Sequence, residues 1–121
     1  MDVRKDILKK RTREYALRII KVYDVLPKSG VSRVIGNQVL RCGTSLGAHD
    51  AESCRAKSAP DFINKIEGAM QELEETGYWL DLAVDCGAVK ETRLKSLKTE
   101  TTELMSIFVA MVRNTKSRSK A

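Results

Sequence analysis

Apolar residues recur at alternating intervals of three and four positions through most of this chain, which limits the folds that it can adopt. Such spacing lines one face of an α-helix, whereas a half-buried strand alternates apolar and polar residues at every second position. Proline, which breaks helices, occurs only at positions 27 and 60 of the 121 residues. The pattern therefore predicts an all-α fold with helices at about residues 3–26, 31–57, 59–86 and 90–114.

The short connections between these predicted helices indicate how the helices are arranged. Ser58 suits the N-cap of the third helix, Pro60 suits its first turn, and Gly87 suits the position after its last turn. Helices joined by short loops pack as antiparallel neighbours. We therefore predict one domain at residues 1–115, an antiparallel up-down-up-down four-helix bundle, followed by a disordered basic tail at 116–121.

Three of the predicted helices carry an ordinary apolar stripe, and the second has polar residues in its stripe. The predicted stripes are Ala16, Ile19, Tyr23 and Leu26; Val31, Ile35, Gln38, Cys42, Ser45, His49, Glu52 and Ala56; Ile66, Met70, Leu73, Gly77, Leu80 and Val84; and Leu94, Leu97, Thr101, Leu104, Phe108 and Met111. In the second helix, Val34, Val39 and Leu46 form a flanking apolar stripe. The second helix also contains Gly36, Gly43 and Gly47, each of which costs about 1 kcal/mol relative to alanine. Their presence predicts that another helix approaches the second one closely.

The polar residues of the second helix and their expected partners on the third form a set that we call the polar seam. Its members are Gln38, Arg41, Ser45, His49, Glu52, Glu72, Glu75 and Trp79. Three interpretations are open: the residues satisfy one another within one chain, they face a neighbouring subunit and fix its register, or they line a ligand or catalytic site. Arg41 is expected to pair with Glu72 and Glu75, and Trp79 to act as an interface anchor or as a half-buried packing residue.

No arrangement of residues in the sequence is typical of an enzyme or a metal centre. His49 is the only histidine, and Cys42 precedes it by seven residues, about 10 Å along a helix, which is too far for a thiolate–imidazolium pair. Di-iron bundles require a Glu-x-x-His pair on two helices, and no glycine-rich phosphate loop is present. The sequence therefore predicts no catalytic residues, no metal and no cofactor.

Cysteine content and hydropathy indicate where such a protein is found. Cys42, Cys54 and Cys86 are odd in number and form no Cys-x-x-Cys motif, so we expect reduced thiols rather than disulfides. No apolar run is long enough to cross a bilayer, and the N-terminal residues lack the apolar core of a signal peptide. We expect a cytoplasmic protein that does not associate with membranes.

Charge is distributed unevenly along the chain. Residues 1–13 and residues 113–121 each carry a net charge of +4, whereas residues 14–112 carry −2. In an up-down-up-down bundle both basic segments meet the turn between the second and third helices at one end, which we call the basic pole; the other end is the neutral pole. Clustered lysine and arginine neutralise phosphates, so the candidate nucleic-acid-binding residues are Arg4, Lys5, Lys9, Lys10, Arg11, Arg13, Arg55, Lys57, Arg113, Lys116, Arg118 and Lys120.

Several residues between about 35 and 85 follow the pattern of a known family. They are Gln38 and Arg41, the run Ser45-Leu46-Gly47-Ala48-His49-Asp50-Ala51-Glu52, the turn Ser58-Ala59-Pro60-Asp61-Phe62, and Glu72, Glu75 and Trp79. The stretch resembles the four-helix bundle family named after proteins encoded in intervening sequences of 23S ribosomal RNA genes. His49 stands where that pattern usually has asparagine.

The resemblance carries its own expectations about assembly and function. It implies a four-helix bundle that assembles as a homopentamer around a central axis and has no enzymatic activity. Relatives that accompany diversity-generating retroelements are basic pentamers that bind nucleic acid and a reverse transcriptase. Two functions are consistent with the sequence: an oligomeric bundle that binds RNA or DNA through its basic pole, or an oligomeric scaffold that binds another protein and no nucleic acid.

Overall fold

A computed structural model of the chain describes residues 3–120, with side chains from Lys5 to Ser119. It contains four α-helices, and the described residues form no strand. They are α1 (Val3–Val25), α2 (Gly30–Ser53), α3 (Ala59–Asp85) and α4 (Glu91–Lys120). The predicted all-α four-helix fold is confirmed.

Contacts between side chains define the direction of each helix relative to its neighbours. Between α1 and α4, Arg11 bonds to Glu103 and Arg18 bonds to Ser96, so residue numbers rise in one helix as they fall in the other. The pairs Arg41–Glu75 and Glu52–Lys65 show the same relation between α2 and α3. Gly77–Thr101 and Asp81–Lys98 show it between α3 and α4, and Gly43–Ile19 and Gly47–Thr12 show it between α1 and α2. Sequential helices are therefore antiparallel neighbours, as predicted.

One continuous core runs through the bundle, and its stripes differ in part from the predicted ones. The buried side chains of α4 include four predicted residues, Leu94, Leu97, Leu104 and Phe108. In α1 the buried stripe is Leu8, Thr12, Tyr15, Ile19, Val22 and Leu26, whereas Ala16 and Tyr23 are only half-buried. The buried stripe of α3 is Ile66, Ala69, Leu73, Thr76, Leu80 and Ala83. Three predicted members, Met70, Gly77 and Val84, are not in this stripe; in each case the residue immediately before is buried instead.

Two polar residues explain why the α1 stripe was mispredicted. Tyr15 is buried, and its hydroxyl lies 2.7 Å from the Thr101 hydroxyl on α4. The Thr12 hydroxyl donates to the Lys9 carbonyl one turn earlier. Because both hydroxyl groups have hydrogen-bond partners, the bundle accommodates them at core positions with little penalty.

The predicted stripe of α2 was correct at Ile35 and Cys42, and its flanking residues Val39 and Leu46 are buried, but its other members were wrong because the helix is rotated relative to the expected register. The residues that face the core are Ile35, Gly36, Val39, Cys42, Gly43, Leu46, Asp50 and Ser53. Val31 and Glu52 are exposed, and Gln38, Ser45 and His49 are half-buried beside α3. The close approach predicted from the glycines is confirmed at Gly43, where the Cβ of an alanine would lie 2.5 Å from Ile19 Cγ1.

The neutral pole, where α3 ends and α4 begins, is closed by well-formed helix ends. Gly87 has φ +82°, and the amides of Gly87 and Ala88 donate to the carbonyls of Val84 and Ala83, which is the Schellman pattern. Lys28 donates to the carbonyls of Tyr23 and Leu26 at the end of α1, and its ammonium lies over the Tyr23 ring. These bonds satisfy the carbonyls of Tyr23 and Leu26 at the end of α1 and those of Ala83 and Val84 at the end of α3.

The basic pole is stepped, because α3 and α4 extend further than α1 and α2. From the Lys65–Glu52 pair, α3 extends six more residues towards this pole, whereas α2 ends at the next residue. From the Arg11–Glu103 pair, α4 extends seventeen residues and α1 only eight. At 1.5 Å per residue, α4 passes the start of α1 by about 13 Å. The step leaves space between the helix ends.

Two predicted boundaries at this pole require correction. α2 ends at Ser53 rather than 57, because the amides of Arg55 and Ala56 donate to carbonyls only three residues earlier and tighten the last turn. α4 continues six residues beyond its predicted end, so the predicted tail 116–121 is helical as far as Lys120; Ala121 lies outside the described residues. Buried Val112 and half-buried Thr115 connect this last part to the bundle.

Candidate nucleic-acid interface and polar seam

Most of the predicted nucleic-acid-binding side chains are exposed at the basic pole. The exposed members are Lys5, Lys9, Lys10, Arg13, Arg55, Lys57, Arg113, Lys116 and Arg118. Among the described side chains, only Lys10 of this group has an acidic partner, an exposed contact of 3.9 Å to Glu14, which contributes little. The side chains of Arg4 and Lys120 lie outside those described. The arrangement leaves a set of cations available to an anionic partner.

Arg11 differs from the rest of the group because it is already neutralised. Its Nε donates to Glu100 at 3.1 Å, and its Nη2 contacts both Glu100 and Glu103. The hydrogen bond to Glu100 and the nearby negative charges raise the pKa of Arg11 above its ordinary value, against a smaller opposing effect of burial. Arg11 therefore joins α1 to α4 and adds little free positive charge.

The cations at the end of α4 lie on two sides of the helix. Arg113 and Lys116 line a shallow groove against α3 together with Glu67 and Met70. Arg118 lies on the other side and faces Lys5 of α1 across a larger cavity. The positive charge of this pole is thus presented to two separate surfaces.

The core of the polar seam is a hydrogen-bonded group around Arg41. Arg41 Nη2 lies 3.0 Å from Glu75 Oε2, and Nη1 lies 3.5 Å from Glu72 Oε2. The predicted pairing is confirmed, although the guanidinium joins two carboxylates instead of binding one of them bidentately. Gln38 accepts from the same guanidinium, and the Ser45 hydroxyl lies 2.8 Å from Glu72 Oε2. These residues therefore satisfy one another within one chain.

The remaining seam residues are less closely connected to this group. His49 lies against Gly68 of α3, where an added Cβ would be 2.9 Å from His49 Nδ1. Glu52 is exposed and pairs with Lys65 at 3.5 Å. Trp79 is half-buried against the core and meets Tyr78 edge-on at 5.2 Å, whereas Tyr78 itself is exposed. Glu52 is therefore not the buried core residue that its predicted stripe position implied.

Cys42 adds a thiol to the Arg41 group, and the sequence did not predict this association. Cys42 Sγ, Glu72 and Glu75 offer three potential metal-ligand atoms within 4.8 Å of one another. Burial is the main factor that raises the pKa of the Cys42 thiol to about 12, and the hydrogen bond to Glu75 adds to the effect. The protonated thiol lies 3.3 Å from Glu75 Oε2, and Arg41 supplies the countercharge for both carboxylates. The cluster is satisfied without an added cation.

A cavity of about 830 Å³ occupies the step at the basic pole, between the ends of all four helices. Its walls include Leu8, Phe62, Ile107 and Met111, and Asp50 of α2 contributes a carboxylate although it is only 4% exposed. Sequence reasoning did not select Asp50. Helical spacing could have identified it, because Asp50 continues the stripe formed by the buried residues Val39, Cys42 and Leu46 of α2.

Within residues 3–120, no helix combines the length and the apolar character needed to cross a bilayer.

The fold and the charge distribution together define the class of protein: a small antiparallel four-helix bundle with one strongly basic pole. The family model described as 23S rRNA-intervening sequence protein matches residues 4–110, and the chain belongs to this family. The fold is also similar to the crystal structure of a protein of unknown function from the S23 ribosomal protein family of Bacteroides thetaiotaomicron VPI-5482, with a TM-score of 0.80 and 33% sequence identity over 87% of this chain and 97% of that one. No curated protein matches the chain significantly.

Proposed function

We propose that this protein is a non-enzymatic, oligomeric, cytoplasmic bundle that binds RNA or DNA through its basic pole. The observation that carries the proposal is the convergence of exposed cations from three separate segments: the start of α1, the α2–α3 turn and the end of α4. Phosphate contacts from such cations release counterions and give binding that is independent of sequence and sensitive to salt.

Salt-dependent binding to hairpin RNA and duplex DNA tests the role of the basic pole. The triple variant Lys57→Gln, Arg113→Gln and Lys116→Gln removes three exposed cations at this pole. The matched control is Lys90→Gln, Arg93→Gln and Lys95→Gln, which removes three exposed cations at the neutral pole. We expect the first variant to reduce the slope of log K against log salt for duplex DNA by about 3, and the control to change it little.

Two results would refute this part of the proposal. The first is no binding of either nucleic acid at about 50 mM salt, where phosphate contacts are strong. The second is an equal loss of affinity in both triple variants, because general charge and not the basic pole would then account for binding.

The oligomeric part of the proposal is supported by an exposed face along α2 and α3. Val31, Val34 and Tyr78 are 69%, 57% and 59% exposed. Val34 precedes Arg41 by seven residues and Tyr78 follows Glu75 by three, so helical periodicity places both on the side that carries the Arg41–Glu75 pair. Apolar residues beside a charged group that fixes register suit an interface between copies, as the family resemblance implies for a pentamer.

Light scattering of the wild type and of Val34→Glu tests this interface. We expect a multiple of the 13.6 kDa chain mass for the wild type at micromolar concentration and a smaller mass for the variant. Leu17→Glu on α1, at a site that is 54% exposed, is the control. A wild-type mass of one chain would refute the oligomer. An oligomer that binds neither hairpin RNA nor duplex DNA would favour the second candidate, an oligomeric scaffold that binds another protein.

A further inference from the structure

The cavity at the basic pole has the size and shape of a small-molecule site. Its volume is about 830 Å³, within the range of ordinary ligand pockets. Leu8, Phe62, Ile107 and Met111 provide apolar walls, and Phe62 provides the only aromatic ring among the described lining residues. Such walls suit a flat, largely apolar group.

Asp50 gives this cavity a carboxylate acceptor. It lines the cavity although it is only 4% exposed, and its carboxylate stays in contact with the cavity space, because none of the described side-chain oxygens is both fully buried and without a hydrogen-bond partner. The nearby Ser53 hydroxyl donates to the Asp50 backbone carbonyl at 2.6 Å. Burial raises the pKa of Asp50 from its ordinary value to about 6. A carboxylate accepts hydrogen bonds through both of its oxygens, so Asp50 offers two acceptors to a ligand with N–H groups.

The lining charges indicate what else the ligand carries. Lys5 and Arg118 are exposed cations of the lining, whereas Arg11 is held by Glu100 and Glu103. Free positive charge at the mouth repels a simple amine and attracts an anion. The ligand that fits all three features has an anionic group at the mouth, a flat body and a pair of N–H donors at the floor.

Among nucleobases, guanine meets the requirement at the floor best. Its N1–H and N2–H₂ groups point in the same direction and can donate to both oxygens of one carboxylate. Adenine and cytosine offer a single exocyclic amine, and uracil places two carbonyl acceptors beside its one N–H. Single-stranded bases are commonly recognised on this edge while they stack on an aromatic side chain.

We propose that this cavity binds an unpaired guanosine of a nucleic-acid strand, with Asp50 accepting from N1 and N2, Phe62 against the base, and Lys5 and Arg118 at the phosphate. The inference rests on the proposed nucleic-acid function and assigns a base preference to it. The other exposed cations of the pole then contact the neighbouring phosphates.

Fluorescence anisotropy with labelled oligouridines that carry one central guanosine tests the preference. We expect the guanosine strand to bind about tenfold more tightly than strands with adenosine, cytidine or uridine at that position. Inosine, which lacks the N2 amine, should lose most of the gain, and 7-deazaguanosine, which keeps the N1–N2 edge, should retain it. These arms change only the ligand, so they do not depend on the folding of a variant.

Two protein variants complete the test. Asp50→Asn keeps the size of the side chain but has only one acceptor oxygen, and it should abolish the preference for guanosine while leaving weak salt-sensitive binding. Asp24→Asn, at an exposed site of the neutral pole, is the matched control and should behave as the wild type. Circular dichroism verifies that both variants remain helical.

The outcomes separate this inference from the proposed function. Equal, salt-sensitive binding of all four strands would overturn the guanine pocket and leave the nucleic-acid function intact. No binding of any strand would overturn the guanine pocket, and it would overturn the nucleic-acid function as well if hairpin RNA and duplex DNA also failed to bind. Free guanosine monophosphate competing as strongly as the guanosine strand would overturn the strand as the ligand, because the neighbouring phosphates would then contribute nothing.

Discussion

The two poles of the bundle are formed by the same four helices, but different groups fill the space between them. At the neutral pole Val22, Leu26, Leu80 and Leu94 are buried, and a Schellman motif ends α3. At the basic pole α1 and α2 end before α3 and α4, and the same inward faces line a cavity with Asp50 at its floor. A difference of one to three helical turns is enough to change a packed core into a pocket, so we expect stability to depend more on the neutral pole and binding more on the basic pole.

Truncation of one large side chain at each pole should give the largest difference in the free energy of unfolding between the two poles. Leu80→Ala at the fully buried site near the neutral pole should lower the free energy of unfolding by about 3 kcal/mol, because it leaves a void in packed surroundings. Met111→Ala, which enlarges a cavity that already exists, should cost about 1 kcal/mol or less. Urea denaturation measures both, and equal losses would show that the two poles are packed alike.

The charge on the cavity floor should make stability depend on pH. Because the pKa of Asp50 rises from 3.8 to about 6 on folding, the folded protein binds a proton that the unfolded chain releases between these values. Its contribution to stability is therefore most favourable below pH 4 and is lost as the pH rises to 6. Asp50→Asn should remove this loss and stabilise the protein at pH 7 by up to about 3 kcal/mol.

Thermal unfolding at pH 4 and pH 7 measures this dependence, with Asp24→Asn as the control at the neutral pole. The charged groups of the cavity lining are Lys5 and Arg11 on α1 and Arg118 on α4, and α3 contributes only uncharged side chains. A variant less stable than the wild type at pH 7 would mean that one of these cations stabilises the Asp50 carboxylate in solution.

Replacing each of two glycines near the neutral pole by alanine should change the free energy of unfolding in opposite directions. Gly87→Ala forces alanine into the left-handed conformation at φ +82° and should cost about 1 kcal/mol. Gly77→Ala lies inside α3, where the nearest atom to the new Cβ is 3.9 Å away, and should stabilise by about 1 kcal/mol. Melting curves of the two variants check both signs; a loss at Gly77 would indicate tighter α3–α4 packing than the distances show.

The sequence predicted the number and order of the helices better than the face of each helix that packs against the core. Four helices and their antiparallel order follow from apolar spacing, Pro27 and the cap at Ser58, whose side chain accepts from the Asp61 amide as expected. The face of α2 was partly mispredicted, because Val31 and Val34 are exposed while Asp50 and Ser53 are buried. Hydropathy cannot identify such residues when their burial depends on where the neighbouring helices end.

The sequence likewise predicted part of the candidate site: the position of the cations and one ion-pair group, but not the contacts of Arg11 or the cavity. Charge arithmetic located the cations at one pole, and helical spacing identified the pairing of Arg41 with Glu72 and Glu75. The neutralisation of Arg11 was not predictable, because Glu100 and Glu103 lie about ninety residues away in sequence. The cavity likewise arises from unequal helix ends, which depend on boundaries that sequence patterns give only to within a turn or so.

The positions of the cysteines make the molecule easy to label at both ends. Cys54 and Cys86 are exposed and flank α3, one at each pole, while Cys42 is buried in the Arg41 group. The Lys65–Glu52 pair places Cys54 level with about residue 63 of α3, so about 23 residues of that helix separate the two exposed thiols by about 35 Å. Maleimide dyes or spin labels attached to these two natural cysteines would therefore allow a distance to be measured along the bundle without an introduced cysteine. Because Cys54 also lines the cavity, a probe attached there would report directly on what enters it.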